Sequence, residues 1–382
     1  MARALTTAAA RCVVFTGGGT AGHVFPGLAV AAELARRWDG RIVWIGSRGG
    51  PERSLVEAAG IAFRSIPAGK LRRYRSLENL TDAFRIVGGL AASLAALAAE
   101  RPSLVFSKGG FVSVPPVVAA RLLGIPAFTH ESDLDPGLAT RINARFCERI
   151  LVSHEATAAH FPPALRDRVV VTGNPVRAAI YAADAAEGRR FAGCAPSERL
   201  VLVLGGSSGS AFLNGLVAGA AAGLCAHGIR IVHQTGDGKQ GAGGIPGCRV
   251  MPFIGAELPH LMAAADLVVC RAGANTLAEL AALGRPSLLV PLSSAGSRGD
   301  QLRNAEAFRA AGAAEVMGEE TASPAALADR VLGLLADPAR LAAMGAAARA
   351  LAPADPALRI AGMLAARLGG GAGGGATPRG SA

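Results

Sequence analysis

The chain has 382 residues, 51% hydrophobic and 18% charged, with 50 Gly and 22 Pro, and a mean hydropathy of +0.36. That length suits two or three domains, and the composition excludes a disordered chain, a collagen repeat and a coiled coil. The net charge of +11 is concentrated in residues 1–175, where 21 Lys and Arg outnumber 13 Asp and Glu for a net +8, leaving +3 for the rest. Nucleic acid, an anionic lipid or a phosphorylated substrate could answer such a field; with 4% aromatics and no stacking motif, nucleic acid is the weakest of the three and is not the expected partner.

Along the chain, no uninterrupted apolar core precedes Arg11, so no signal peptide is expected. Strands are predicted at residues 12–16, 42–46, 104–107, 127–130, 150–153 and 169–172. Each is a short Val/Ile/Leu run, followed by Gly or Ser and an alanine-rich helical stretch. A second series starts at Leu200 and continues at 229–234, 249–252, 267–270, 287–290 and 314–317. Residues 200–229 carry no Asp, Glu, Lys or Arg and are long enough to cross a bilayer. GGSSGS and Asn214 interrupt them, so a buried strand, loop and helix is the better reading. Two Rossmann-like, doubly wound parallel-sheet domains follow: 1–175, and 176–352 after a linker expected between 177 and about 198. A last helix is expected at 353–368 and a flexible tail at 369–382. Six scattered cysteines without a C-x-x-C pair point to a reducing cytoplasm and no zinc ribbon.

Gly17, Gly19 and Gly22 form G-x-G-x-x-G directly after a strand, with Pro26 placed to begin a helix, so backbone N–H groups would converge on an anion. A dinucleotide site would also want an acid closing the second strand, which instead ends Ile45, Gly46, Ser47, Arg48. Arg48 keeps an NADP-dependent oxidoreductase open, and a plain tight turn is the remaining alternative. His23, beside this loop, is placed either as a proton acceptor or as a helix cap. A second glycine turn spans 107–111, and His130, Glu131, Ser132 and Asp133 end the next strand. At the carboxyl edge of a parallel sheet, His23, Gly109 and Glu131 would share a cleft. Asp133 and Asp135 resemble a metal-binding D-x-D, but Pro136 and Gly137 follow directly, so helix capping is expected. His154 and His160 lie six apart, on different faces of a helix, and no metal site is expected.

In the second half, Gly205, Gly206, Ser207, Ser208 and Gly209 open a helix whose dipole favours an anion by about 0.3 to 1 kcal/mol. CRAGANTLAEL (270–280) places Thr276 and Glu279 on one helix face. An ionised Glu279, acceptor-only, would take two ribose hydroxyls; a surface capping pair is the other reading.

GGGTAGHVFPGLAVA, KGGFVSVPPVVAA, HESDLDPGLATRIN, TGNPVR, GGSSGS, CRAGANTLAEL and SRGDQLRNA occur in the order found in the MurG family of bacterial peptidoglycan glycosyltransferases, which the chain resembles from Arg11 to about residue 345. The resemblance implies a GT-B fold, with two Rossmann-like domains facing across a cleft. It implies transfer of N-acetylglucosamine from UDP-GlcNAc to the C4 hydroxyl of undecaprenyl-pyrophosphoryl-MurNAc-pentapeptide (lipid I), forming lipid II. UDP-GlcNAc is then a co-substrate, and no cofactor is called for. By matching position, Arg177 and Ile254 would flank the uracil, Ser207 the diphosphate, Thr276 and Glu279 the nucleotide, and Ala274 and Gln301 the sugar. Asn275 lies in the same turn. Thr20, Ala21 and Gly22 would close on the donor, and His23 and Glu131 are the acid/base candidates. A lipid-linked acceptor also implies a peripheral enzyme on the cytoplasmic face of the membrane. KLRRYR (70–75), followed by Leu77, Leu80, Phe84 and Val87 at helical spacing, is the expected docking surface, with packing of that stripe inside the domain as the alternative.

Overall fold

The structure, a computed structural model, describes residues 11–69, 78–239, 241, 243–293 and 299–369. The chain forms two compact units, residues 1–175 with 355–382 and residues 176–354.

Unit 1 holds seven parallel strands: β1 (Cys12–Thr16), β2 (Arg41–Ser47), β3 (Ala62–Ile66), β4 (Leu104–Ser107), β5 (Ala127–Glu131), β6 (Arg149–Val152) and β7 (Val169–Val171). Their order is β3-β2-β1-β4-β5-β6-β7, so the winding reverses between β1 and β4. Every residue of β1, β4 and β5 is buried, which is why β1 and β4 open as apolar runs, while β5 ends on the buried polar residues Thr129, His130 and Glu131. Phe15 stacks on Trp44 at 6.0 Å and meets Phe106 edge-on at 5.1 Å. Helix Pro356–Gly369 adds Ile360, Ala361 and Leu364 to the same core. β3 escaped the sequence reading because it is an edge strand with Ala62, Arg64 and Ser65 exposed, leaving no apolar run.

Unit 2 holds six parallel strands: β8 (Arg199–Leu204), β9 (Ile229–Gln234), β10 (Cys248–Met251), β11 (Leu267–Cys270), β12 (Ser287–Leu289) and β13 (Ala314–Val316). Their order is β10-β9-β8-β11-β12-β13, and here the winding reverses between β8 and β11. In both sheets the glycine loops leave the carboxyl ends of the strands beside the reversal, where ligands of open α/β sheets bind.

Two expectations need correction. The stretch from 177 to 198 is no free linker: helices Ala178–Tyr181 and Ala185–Ala192 belong to unit 2, with Ile180 and Ala192 buried. A Cβ on Gly188 would lie 2.1 Å from the His260 carbonyl oxygen, so helix Leu258–Ala264 packs directly on that segment. Nor do Asp133 and Asp135 cap a helix. The N-cap of helix Leu138–Asn143 is Gly137, and Asp135 instead pairs with Arg141 at 2.7 Å. No single helix among the described residues is long and apolar enough to cross a membrane, and helix Ala211–Ala226 is seated in the unit 2 core.

Candidate active site

In unit 2, β8 and β11 are paired through Cys270↔Leu204, so the 205–210 loop and the 271–273 turn emerge side by side. The loop begins helix Ala211–Ala226, whose N-cap Ser210 accepts from Leu213 N. Its tight path depends on glycine at Gly209: φ is +68°, and a Cβ would fall 1.8 Å from Thr235 O. Ser207 and Ser208 are exposed at the crest, with the helix N-terminus behind them. Lys239 Nζ donates to Ser208 O and Gly209 O at 2.7 and 2.9 Å, and Gln234 Nε2 donates to Gly206 O at 3.2 Å.

The same Gln234 accepts from Ile254 N at 2.9 Å through its Oε1. Ile254 itself is a core side chain, 1% exposed, so against a uracil it can offer only backbone.

Helix Ala274–Leu283 carries Ala274, Asn275 and Thr276 in its first turn and Glu279 one turn later. Arg177 Nε donates to Glu279 Oε1 at 2.8 Å. Burial pushes the Glu279 carboxyl above its ordinary value, and the Arg177 charge works in the opposite direction. Oε2 of Glu279 has no hydrogen-bond partner among the described residues. The site therefore holds a carboxylate oriented through one oxygen and open at the other. Gln301, in the first turn of helix Asp300–Ala310, accepts from Leu292 N through Oε1 at 3.0 Å, which leaves its amide nitrogen to donate elsewhere.

Sequence reasoning passed over Arg271. This nearly buried guanidinium donates to Ser210 Oγ and to Val290 O, and pairs with Glu319 at 2.7 Å. Glu319 also accepts from Ser293 N at 3.1 Å, so one ion pair ties together three loops of the edge.

In unit 1 the first glycine loop is already furnished from within. Glu52, fully buried, accepts from Gly19 N at 3.3 Å and from Ser47 N at 2.8 Å, and Trp44 Nε1 donates to Gly17 O at 3.0 Å. A carboxylate in that position repels a phosphate, which removes the ground for an NADP site at Arg48. Thr20, Ala21, Gly22 and His23 stand at the rim, the last three in a 3-10 turn. His23 Nδ1 lies 2.9 Å from Thr20 Oγ1. When Nδ1–H donates to that hydroxyl, Nε2 carries the lone pair a base needs.

The glycine turn after β4 comes up against His23. Gly109 and Gly110 both have positive φ, and a Cβ on Gly110 would lie 2.5 Å from Gly18 O and 3.3 Å from the His23 ring. Glu131 is close by in the sheet but differently employed. Its Oε1 accepts from Ser132 N at 2.8 Å and Asp133 N at 3.1 Å, and its Oε2 from Gly137 N at 3.0 Å. These three bonds make Glu131 an anchor of the loop, with Oε2 carrying one of them.

KLRRYR and Leu77 lie outside the described residues, as does the Leu80 side chain. Phe84 and Val87, on helix Glu78–Glu100, are 72% and 68% exposed, so that part of the stripe is not packed inside.

The chain matches the sequence profiles of the glycosyltransferase family 28 N-terminal domain over residues 13–152 and of the family 28 C-terminal domain over residues 200–358. It is 49% identical over 318 residues to the UDP-N-acetylglucosamine–N-acetylmuramyl-(pentapeptide) pyrophosphoryl-undecaprenol N-acetylglucosamine transferase of Treponema pallidum (strain Nichols), covering 81% of this chain and 83% of that one. To the Treponema denticola protein of the same name it is 44% identical over 384 residues, covering 93% and 97%. Among solved structures, Acinetobacter baumannii MurG superposes with a TM-score of 0.71 at 26% identity, over 92% of this chain and 98% of that one. These similarities, on top of two doubly wound units with their loops at matching edges, place the chain in glycosyltransferase family 28, as a member of its MurG family.

Proposed function

We propose that the chain is an inverting glycosyltransferase that moves N-acetylglucosamine from UDP-GlcNAc to the C4 hydroxyl of undecaprenyl-pyrophosphoryl-MurNAc-pentapeptide. The observation that carries the donor half is Glu279, held by Arg177 and open at Oε2, a carboxylate that in its ionised form only accepts. Two vicinal ribose hydroxyls are the donors that such an acceptor-only group takes. Arg177 and the backbone at Ile254 then border the uracil, and Ala274, Asn275, Thr276 and the Gln301 amide border the nucleotide and sugar. The diphosphate lies on the Ser207 loop at the positive end of helix Ala211–Ala226, which stabilises the charge that develops as UDP leaves. That arrangement meets the leaving charge with backbone N–H groups.

Unit 1 supplies the acceptor side. His23, oriented by Thr20, removes the hydroxyl proton as the new bond forms, with Thr20, Ala21 and Gly22 lining the approach. Glu131 supports this by fixing the loop after β5. The lipid-linked acceptor calls for a peripheral position on the cytoplasmic face of the membrane. Phe84 and Val87, with the cationic 70–75 segment, form the docking surface. The test is UDP release from labelled UDP-GlcNAc, measured with and without a lipid I analogue. Acceptor-dependent release supports the reading, and release that ignores the acceptor, or none, overturns it.

A further inference from the structure

Lys108 follows β4 directly and is 2% exposed. Its N–H donates to Thr16 O at 2.8 Å, which fixes the backbone between the two central strands. Its side chain starts beneath the first glycine loop: a Cβ on Gly17 would lie 3.2 Å from Lys108 Cβ. From there the ammonium reaches Ser132 Oγ at 2.5 Å, and that hydroxyl donates onward to Asn174 Oδ1 at 2.9 Å. Ser132 is its only hydrogen-bond partner among the described residues, and no carboxylate oxygen there lies within ion-pairing distance. Asn174 is itself buried, one residue before the chain leaves unit 1.

A buried, incompletely paired ammonium is costly, so a core lysine at this spot requires compensation. It comes from the loop after β5, whose Glu131 and Asp133 carboxylates attract it. The other titratable groups beside it are His130 in β5, whose ring is pushed below its ordinary value by burial and then by the Lys108 charge, and His23 across Gly109, where a Cβ would lie 3.7 Å from His23 Cδ2. Glu131 in turn gathers Ser132 N, Asp133 N and Gly137 N. The cation therefore sits where the β4 glycine turn, the 131–137 loop and the exit segment at Asn174 converge.

We propose that Lys108 is a positioning residue for the transfer reaction, its buried ammonium locking the 131–137 loop and the Asn174 segment, through Ser132, into the arrangement that the acceptor side requires. The inference rests on the proposed transferase reading and adds to it a group that touches neither substrate. Burial lowers the ammonium's pKa to about 8 against the pull of Glu131 and Asp133. The lock is consequently present below that pH and lost as pH rises through it.

The test compares pH profiles of acceptor-dependent UDP release for wild type, Lys108→Met and Ser132→Ala, with UDP binding and hydrogen exchange of the 131–137 amides measured in parallel. Wild type should lose activity on an alkaline limb near pH 8. Lys108→Met should lower kcat about tenfold, erase that limb, speed exchange at 131–137 and leave UDP binding unchanged. Ser132→Ala removes the partner but keeps the charge, so its limb should move to lower pH; this variant carries the test if Lys108→Met does not fold. Limbs identical to wild type in the folded variants would overturn the inference, because a merely structural lysine alters stability without altering the titration. Absence of acceptor-dependent release in wild type would instead refute the transferase reading itself.

Discussion

Replacing Glu131 with Gln separates an anchor from a base. The carboxylate accepts three backbone N–H bonds, two at Oε1 and one at Oε2. An amide can keep the Ser132 and Asp133 bonds on its carbonyl oxygen, but its NH2 then faces Gly137 N–H, donor against donor. One bond to a charged group, worth about 1.5 to 3 kcal/mol, is lost, and a part-buried donor is left unpaired. The anchor account therefore predicts a destabilisation of about 3 kcal/mol in unit 1. At about 2 to 4 °C per kcal/mol for a domain of this size, its melting temperature should fall by roughly 6 to 12 °C. Calorimetry reads that shift, and a pH–rate profile at a temperature where the variant stays folded reads the chemistry. The acid limb should persist with its midpoint unmoved. A variant that melts like wild type and yet has lost both turnover and its acid limb would refute the argument and return Glu131 to the role of base.

Other outcomes follow from the same geometry. Glu279→Gln should raise the donor KM and narrow the preference for UDP-GlcNAc over its 2′-deoxy analogue; an unchanged preference removes Glu279 from the ribose. Because burial raises the Glu279 carboxyl, donor affinity in the wild type should weaken as pH falls through a value above the ordinary carboxylate range, and titration calorimetry of Glu279→Gln should show that dependence gone. His23→Ala should depress kcat by 100-fold or more, the usual scale of general-base loss, with donor binding intact and the acid limb lost. A normal profile would exclude His23 as base. Binding to anionic vesicles should fall with rising salt, and should weaken further in the Phe84→Ser/Val87→Ser variant and in a variant with Ser at Arg72, Arg73 and Arg75, while UDP binding is retained. Undiminished sedimentation with vesicles would place the docking surface elsewhere.

The central strands were legible because burial on both faces leaves unbroken apolar runs, as in Val13, Val14 and Phe15 or Leu202, Val203 and Leu204. β3 was hidden by the exposure that an edge strand tolerates. The loops at the sheet edge were legible where one residue type does one job, as with the glycines before helix Ala211–Ala226. Their supports were not. Glu52 reaches Gly19 across 33 positions, Gln234 reaches Gly206 across 28, and Lys108 reaches Ser132 across 24. Each is a polar side chain whose partner is set by tertiary packing and by no local spacing. Glu131 shows the converse hazard. Its residue type suits a base, and only its bonded neighbours reveal that it also anchors the backbone of 132–137.

The central claim is tested most directly by the bond that the enzyme makes. UDP-GlcNAc labelled with carbon-13 at the anomeric position is incubated with a lipid I analogue, and the product is isolated and examined by NMR. A single displacement assisted by a base on unit 1 predicts one added N-acetylglucosamine, β-linked to O4 of the muramoyl sugar, with one UDP released for each. An α-linkage, attachment elsewhere, or UDP release without a glycosylated product would contradict it.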